Sequence, residues 1–142
     1  MSAVYIPTAT REFVSNRAKR QCEYCQTQER VMGMPLEIEH IIPTILGGNS
    51  DEGNLCLACP FCNRHKGIRI DAVDEQTGDN VSLFHPRQQD WHTHFYWEEG
   101  GLYLVGRTPT GRVTIATLQM NNPFVVRSRH IWIESGWHPP HN

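Results

Sequence analysis

The clearest alternation of apolar and polar side chains falls in residues 36–43, LEIEHIIP. This pattern predicts a strand that ends at Pro43, because proline cannot continue a ladder of backbone hydrogen bonds. If the strand is regular, the side chains of Glu37 and Glu39 share one face and that of His40 points to the other. Many half-buried strands share this pattern, so its chemical meaning depends on the residues around it.

A second apolar run follows after TILGGNSDEGN, a loop that is dense in turn residues. Residues 54–60, NLCLACP, predict another short strand. Pro60 suits the first turn of a helix, which we expect to run to about Arg69. The pattern therefore predicts a strand, a loop, a strand and a helix in that order.

Flanking segments predict three further elements. Residues 10–20, TREFVSNRAKR, predict a short helix with Thr10 as its N-cap and basic residues in its last turn. Residues 71–80, DAVDEQTGDN, predict a polar connection. Residues 94–106 predict a hairpin of two β-rich runs around a Glu-Gly-Gly turn.

Two C-terminal segments carry different signals. Residues 108–120, TPTGRVTIATLQM, are compatible with a strand because of their β-branched residues, and with a short helix because of the Thr-Pro-Thr start. Residues 122–136 predict a helix with Asn122 as its N-cap, Pro123 at the first helical position and Gly136 at its end. An apolar stripe with a basic side follows from Val125, Val126, Arg129, Trp132 and Ile133.

The composition is that of a soluble globular protein, with 142 residues of which 39% are apolar and 20% charged. This length fits one domain or a small core with an appended subdomain. No apolar run approaches the roughly 18 residues that a membrane span needs. The first residues, MSAVYIPTATREF, lack the basic segment, apolar segment and cleavage site of a secretory signal. We therefore expect a cytoplasmic protein that does not enter a membrane.

The formal net charge of −2 gives no overall basic surface. This counts against nucleic acid as a partner, because phosphate binding usually draws on clustered Lys and Arg. The distribution of charge changes this picture, since the acidic excess lies after residue 70 and basic residues flank the cysteine-bearing region. These basic residues are Arg17, Lys19 and Arg20 before it, and Arg64, Lys66 and Arg69 after it.

The cysteines carry the most specific signal in the chain. Cys22 and Cys25 form one C-x-x-C pair, and Cys59 and Cys62 form another. Two such pairs can place four thiolates around one tetrahedral zinc ion, and a closed site of this kind is structural. Cys56 and Cys59 have the same spacing, but we prefer the pair that begins the predicted helix and expect Cys56 to be a buried strand residue.

The segments EIEHIIP, GGNSDEGNL and LACPFCNRHKG, framed by CEYC, resemble the HNH endonucleases over roughly residues 10–70. That family has a ββα-metal motif, also called a His-Me finger, in which two antiparallel strands, a loop and a helix surround one divalent ion. In its cysteine-bearing members, two C-x-x-C pairs hold a structural zinc beside the motif. The resemblance therefore implies an α+β fold with a four-cysteine structural zinc site.

The resemblance also implies roles for individual residues. It makes Glu39 and Asn63 the ligands of a catalytic Mg²⁺ or Mn²⁺, and His40 the general base. Asn54 holds the loop and so orients the histidine, whereas Glu37 is expected to be a solvated bystander. Hard divalent ions prefer oxygen ligands, which suits this pair of ligands. The expected phosphate-binding residues are Lys66, which shares a helix face with Asn63, together with Arg64 and Arg69.

We divide the chain into an HNH nuclease core with its zinc site, residues 1–70, and a C-terminal α+β extension of a hairpin and a helix that packs on the core, residues 71–142. The motifs LFHPR, W-x-x-H-F-x-W, TPTGR and GWHPP make this extension similar to one found on some bacterial, notably cyanobacterial, HNH proteins. Such an extension can cover the zinc site, form a dimer surface or contact DNA. The candidate DNA contacts are Arg107, Arg112, Arg127 and Arg129.

The resemblance implies a divalent-metal-dependent DNA endonuclease that nicks or cleaves, leaving 5′-phosphate and 3′-hydroxyl ends. Its expected partner is DNA, double-stranded rather than single-stranded. The alternative hypothesis is a non-catalytic zinc-stabilised module that binds nucleic acid or protein. The near-neutral charge and the long extension favour this alternative.

Overall fold

The computed structural model describes residues 5–141, so the outermost residues of the predicted core and extension, 1–4 and 142, lie outside the described part. The fold mixes short helices with three two-stranded antiparallel sheets, which confirms the predicted α+β class. The helices are α1 (Thr8–Arg17), α2 (Glu29–Met32), α3 (Pro60–Lys66), α4 (Trp91–His94), α5 (Pro109–Leu118) and α6 (Pro123–Glu134). The strands are β1 (Glu37–His40), β2 (Leu55–Ala58), β3 (Asp71–Val73), β4 (Asn80–Ser82), β5 (Phe95–Glu98) and β6 (Tyr103–Gly106).

The first sheet and α3 form the predicted strand, loop, strand and helix. β1 pairs with β2 so that Glu39 lies opposite Cys56 and His40 opposite Leu55. All four residues of β2 are buried, and α3 packs against β1. The strand ends at His40 and not at Pro43, because the N–H and C=O of Ile42 are bonded to the side chain of Asn54.

Helix α3 begins as predicted but is shorter. Pro60 takes its first position, and the Cys59 sulfur at the N-cap accepts a hydrogen bond from the Cys62 N–H. The helix ends at Lys66, before the predicted end at Arg69, since Gly67 has a φ of 54° that leaves the helical region. The residues after it therefore turn away towards the next hairpin.

The start of α1 differs from the prediction. Thr10 is not its N-cap, because the helix begins at Thr8 after Pro7, whose extended backbone leads into the first turn. The helix ends at Arg17 because Lys19 and Arg20 adopt positive φ angles of 57° and 56°. Its basic last turn is therefore shorter than predicted.

The prediction that residues 71–80 form only a polar connection is wrong. They supply β3 and the turn of a hairpin in which Asp71 pairs with Ser82. The buried carboxylate of Asp74 holds the turn through the N–H and hydroxyl of Thr77, and it accepts two hydrogen bonds from Arg112 at 3.0 and 2.9 Å. This partner lies 38 residues away in the chain, so the local polar composition gave no sign of it.

Residues 108–120, for which helix and strand were both open, form α5. Thr108 caps it by accepting a hydrogen bond from the Gly111 N–H, and Pro109 follows at the first helical position. A Cβ atom at Gly111 would lie only 2.1 Å from the carbonyl oxygen of His94, so only glycine allows this helix to approach the neighbouring backbone. The helix-start signal of Thr108 and Pro109 therefore decided the structure of this segment, despite the strand preference of its β-branched residues.

The last two predicted elements are confirmed. The β5–β6 hairpin closes through a 3₁₀ turn, Glu99–Gly101. Asn122 caps α6 by accepting hydrogen bonds from the N–H groups of Phe124 and Val125, both at 3.0 Å. Arg129 was a candidate DNA contact, but its side chain is fully buried, so this expectation is wrong.

A single group of buried side chains connects the first and second halves of the described chain. Val14, Leu55, Phe95 and Leu118 are all fully buried and belong to the same cluster. Between residues 5 and 141, we find no helix that combines the length and the apolar character needed to cross a membrane.

Candidate metal centre and active site

Four cysteine side chains converge at one buried point. The sulfur atoms of Cys22, Cys25, Cys59 and Cys62 all lie within 4.8 Å of one another, and those of Cys25 and Cys59 are 3.8 Å apart. Zn–S bonds of about 2.3 Å in a tetrahedron require sulfur atoms at this kind of separation. The cluster is therefore a metal site of the expected four-cysteine kind, and its ligand set is typical of zinc.

Nearby hydrogen-bond donors point at the sulfur atoms of this cluster. The N–H of Cys25 points to the sulfur of Cys22 at 3.5 Å, and the N–H of Cys62 points to that of Cys59 at 3.3 Å. The Thr27 hydroxyl lies 3.1 Å from the Cys25 sulfur. Such groups stabilise negative charge on sulfur, as a metal-bound thiolate requires.

The protonation of the cluster also favours a cation at its centre. Burial raises the pKa of Cys22 well above its ordinary value. Hydrogen bonds from Cys22 and the other two thiols hold the pKa of Cys25 well below it. Burial therefore disfavours the thiolate of Cys22, and a divalent cation would supply the charge that stabilises it.

Cys56 is not part of this cluster. It is fully buried on β2, as predicted, and its thiol lies 3.7 Å from the Tyr24 hydroxyl. Burial raises the pKa of this thiol, so Cys56 is an uncharged core residue.

A second group of polar side chains surrounds the end of β1. The carboxylate of Glu39 is buried, with Oε1 3.6 Å from the ammonium of Lys66. Its other oxygen, Oε2, is buried and has no hydrogen-bond partner among residues 5–141. Burial raises the pKa of Glu39 to about 7, although Lys66 opposes this shift. An unpartnered buried carboxylate oxygen is a suitable ligand for a hard divalent cation.

The Lys66 ammonium faces inward. It is 1% exposed and lies 3.3 Å from the carbonyl oxygen of His40. A phosphate contact from Lys66 therefore has to be made inside the site and not at the surface, and it stays a prediction. Arg64 and Arg69, the other expected phosphate ligands, are exposed at and beyond the end of α3.

His40 is the last residue of β1, which places it beside Glu39 where the strand ends. Its Nε2 lies 2.9 Å from the hydroxyl of Ser50, in the loop between β1 and β2. Burial, together with the positive charge of Lys66, lowers the pKa of His40. The imidazole is therefore neutral at neutral pH, the form that can accept a proton.

Asn54 closes the loop that follows His40. Its Oδ1 accepts from the N–H of Ile42 at 2.9 Å, and its Nδ2 donates to the carbonyls of Ile42 and Asn49 at 3.0 and 2.8 Å. The side chain thus joins both ends of the loop that contains Ser50. Neither Ser50 nor these bonds could be inferred from residue spacing, because the loop lacks a regular period.

Close packing of Gly48 against Ile42 and Asn54 in this loop should contribute to the stability of the protein. A Cβ atom at Gly48 would lie 1.8 Å from the carbonyl oxygen of Ile42 and 2.9 Å from Nδ2 of Asn54. We expect Gly48→Ala to lower the free energy of unfolding by about 1–3 kcal/mol, the usual cost of overpacking. The midpoint and slope of urea denaturation measure this change.

Gly53→Ala is the matched control, because a Cβ atom there meets nothing within 4 Å. It should change stability by less than about 0.5 kcal/mol, as surface substitutions usually do. Equal effects of the two substitutions would mean that the loop is not closed as described.

Glu37 is exposed, as expected for a solvated carboxylate, and it also forms a hydrogen bond with Asn63. Its Oε1 accepts a bond of 2.7 Å from Nδ2 of Asn63 on α3. This bond fixes the amide so that its Oδ1 remains the available acceptor. The only sequence signal for a role of Glu37 was its place two residues before Glu39, on the same face of the strand.

These features define an α+β protein with a buried four-cysteine metal site beside a strand-loop-strand-helix unit that carries an acidic residue, a histidine and two asparagines. Residues 22–69 match the family model described as HNH endonuclease. This match confirms, over these residues, the resemblance seen in the sequence. No curated protein and no solved structure matches the chain.

Proposed function

We propose that this protein is a divalent-metal-dependent endonuclease that hydrolyses phosphodiester bonds in DNA. The observation that carries the proposal is the buried, unpartnered Oε2 of Glu39 next to His40 inside an HNH domain. A carboxylate held in this way fits a cation-binding role. A bound Mg²⁺ or Mn²⁺ would polarise the scissile phosphate and stabilise the leaving 3′ oxygen.

The other steps of the reaction are assigned to individual residues of the chain. His40, neutral and held by Ser50, accepts the proton of the attacking water. Glu39 and Asn63 supply oxygen ligands for the ion, and Glu37 holds the Asn63 amide. Asn54 keeps the loop in the conformation that orients His40.

The electrostatics around the site suit a substrate that brings negative charge. Lys66 is buried beside Glu39, Arg64 is exposed in the last turn of the same helix, and Arg69 is exposed just beyond its end. We infer that these cations bind phosphates on either side of the scissile bond. Double-stranded DNA, with its dense phosphates, is the proposed substrate.

We further propose zinc as the metal of the four-cysteine site, with a structural role. The four ligands leave no position open for water or substrate. Thiolate ligands persist in a reducing compartment, which supports the cytoplasm as the place of action. Residues 1–70 form the proposed nuclease core, and residues 71–142 the extension packed on it.

The proposed function is tested by incubating zinc-loaded protein with supercoiled plasmid, linear duplex, single-stranded DNA and RNA, with and without Mg²⁺ or Mn²⁺. Nicks with 5′-phosphate and 3′-hydroxyl ends can be sealed by DNA ligase without further treatment. We expect metal-dependent nicks that the ligase closes. Binding of duplex DNA without any turnover in either metal would instead establish the alternative, a non-catalytic binding module.

Glu37 provides a prediction that depends on the hydrogen bond to Asn63. Glu37→Gln can donate as well as accept, so it no longer selects one orientation of the Asn63 amide. We expect about 10- to 100-fold weaker binding of the catalytic metal, as for other residues that orient metal ligands. The measurement is the Mg²⁺ concentration that gives half-maximal cleavage.

Glu75→Gln is the control, because Glu75 is an exposed carboxylate in the β3–β4 turn. Its metal requirement should equal that of the wild type. If Glu37→Gln also leaves the requirement unchanged, Asn63 does not need Glu37 for its position.

A further inference from the structure

Arg129 on α6 is a buried cation with no carboxylate partner. Its side chain is 0% exposed, and no carboxylate of residues 5–141 forms an ion pair with it. Its donors instead reach neutral oxygens: Nη1 bonds the carbonyl of Leu102 and Oδ1 of Asn121, and Nη2 bonds the carbonyl of Met120. Nε is buried and has no hydrogen-bond partner within the described chain.

A buried arginine lowers the stability of the folded protein unless a negative charge lies near it. Moving a charge from water into a protein interior costs several kcal/mol after relaxation, and neutral hydrogen bonds recover only part of this. The Arg129 guanidinium also lies over the Trp97 ring, 5.0 Å from its centroid, which adds a weaker cation–π attraction. A full negative charge in the neighbourhood is therefore expected.

The four-cysteine site is the negative charge that the structure brings near. Arg129 lines a cavity of about 350 Å³ together with Cys25, Cys59 and Cys62. A divalent ion bound by four thiolates leaves an excess of negative charge in a buried place. Two opposite charges that would each be unfavourable when buried alone stabilise each other there.

We propose that Arg129 is the counter-charge of the four-cysteine metal site, so that the C-terminal helix α6 supplies a cation that stabilises the metal-bound thiolates. Burial lowers the pKa of Arg129, while the thiolates of Cys25, Cys62 and Cys59 act in the opposite direction, as such a pairing requires. This inference does not depend on nuclease activity.

The proposal gives the extension a defined task. Arg129 follows the HNH segment by sixty residues in the chain, yet it lines a cavity together with three of the cysteines of that segment. The region after α6 is also hydrogen-bonded to the segment that follows Cys22 and Cys25, since Nε2 of Gln28 donates to the carbonyl of Trp137 at 2.6 Å. The HNH domain would then depend on the extension to retain its metal.

The test compares zinc affinities of purified full-length variants by competition with a chelator of known affinity. Arg129→Met removes the charge and keeps an apolar side chain of similar length. We expect its zinc dissociation constant to rise about tenfold or more, as for other groups that support metal ligands. Arg127→Met is the control, because Arg127 is exposed on the same helix and should leave zinc affinity unchanged.

Arg129→Lys separates charge from packing. Lysine keeps the positive charge but loses the planar set of donors that binds Leu102, Asn121 and Met120. We expect its zinc affinity to stay close to that of the wild type even if the variant is less stable. Co²⁺ substitution, read from the visible spectrum, checks that the four thiolates still bind.

Two results would overturn the proposal. One is a zinc affinity of Arg129→Met equal to that of Arg127→Met. The other is a loss of affinity in Arg129→Lys as large as in Arg129→Met, which would show that hydrogen bonding and packing, and not charge, connect α6 to the site. If Arg129→Met does not fold, Arg129→Lys alone decides: tight zinc binding supports the proposal, and weak binding contradicts it.

Discussion

Cys62→Ala is expected to lose its bound metal and to unfold at temperatures at which the wild type remains native. The sulfur of Cys62 is one of four that lie within 4.8 Å of one another, and its residue connects α3 to the knuckle that contains Cys22 and Cys25. Structural zinc contributes about 10–16 kcal/mol in small zinc-binding peptides, so the loss of one ligand removes much of the folding free energy here. Zinc content after dialysis, together with thermal unfolding, measures the effect.

Cys56→Ala is the matched control for this prediction. Cys56 is as deeply buried as Cys62 and lies in the adjacent strand, but its thiol contacts Tyr24 and not the cluster. Deleting its sulfur should cost about 1 kcal/mol, in the range of other small deletions in a core. It should also leave the zinc content unchanged. Equal zinc loss in the two variants would show that the ligand set is wrong.

The second large effect is expected at His40. Removing a general base usually lowers a rate by about 10²- to 10⁴-fold, so His40→Ala should reduce DNA cleavage by at least the lower figure. The ring is half-buried, and its described hydrogen bond goes to Ser50 alone, so zinc content and thermal stability should change little. The measurement is the single-turnover rate on a duplex with a defined cleavage site.

His65→Ala is the control for histidine loss in the same domain. His65 lies on α3, where its Nδ1 is 2.9 Å from the carbonyl oxygen of Phe61 and its ring stacks on the Phe61 ring. The cleavage rate of this variant should equal that of the wild type. Added imidazole should restore part of the activity of a His40→Gly variant, because it replaces the missing proton acceptor. Absence of any rescue would favour a structural role for His40.

Local sequence signals predicted the parts of the fold that depend on neighbouring residues. The Asn122 cap, the β5–β6 hairpin and the cysteine knuckles all arise from residues within a few positions of one another. The helix start predicted at Pro60 also separated Cys59 and Cys62 from Cys56, which has the same spacing to Cys59. Each of these features follows from a short stretch of backbone that forms its own hydrogen bonds.

Features that depend on distant partners could not be predicted in this way. Glu37 and Asn63 are 26 residues apart, and their bond depends on how α3 lies across β1. The hairpin at residues 71–82 is mostly polar, and the cation that pairs with Asp74 in its turn is Arg112. The type of residue at such positions indicates chemistry but does not identify the partner.

Buried charges show the same limit. Lys and Arg are normally exposed. From the sequence, Lys66 was expected to bind phosphate because it shares a helix face with Asn63, and Arg129 was a candidate DNA contact. Lys66 is buried beside Glu39, so any phosphate contact has to be made inside the site, and Arg129 lines a cavity with three of the four clustered cysteines. Sequence composition does not reveal that a cation will be buried, because this depends on opposite charges that only the folded chain brings together.

The most direct test of the proposed function compares wild type and His40→Ala on supercoiled plasmid, both with equal zinc content. We predict that the wild type nicks the plasmid only when Mg²⁺ or Mn²⁺ is added, and that His40→Ala does so at least about 100-fold more slowly. Equal rates for the two proteins, or cleavage that does not require the added metal, would contradict the proposal that His40 and a divalent ion at Glu39 and Asn63 carry out the reaction.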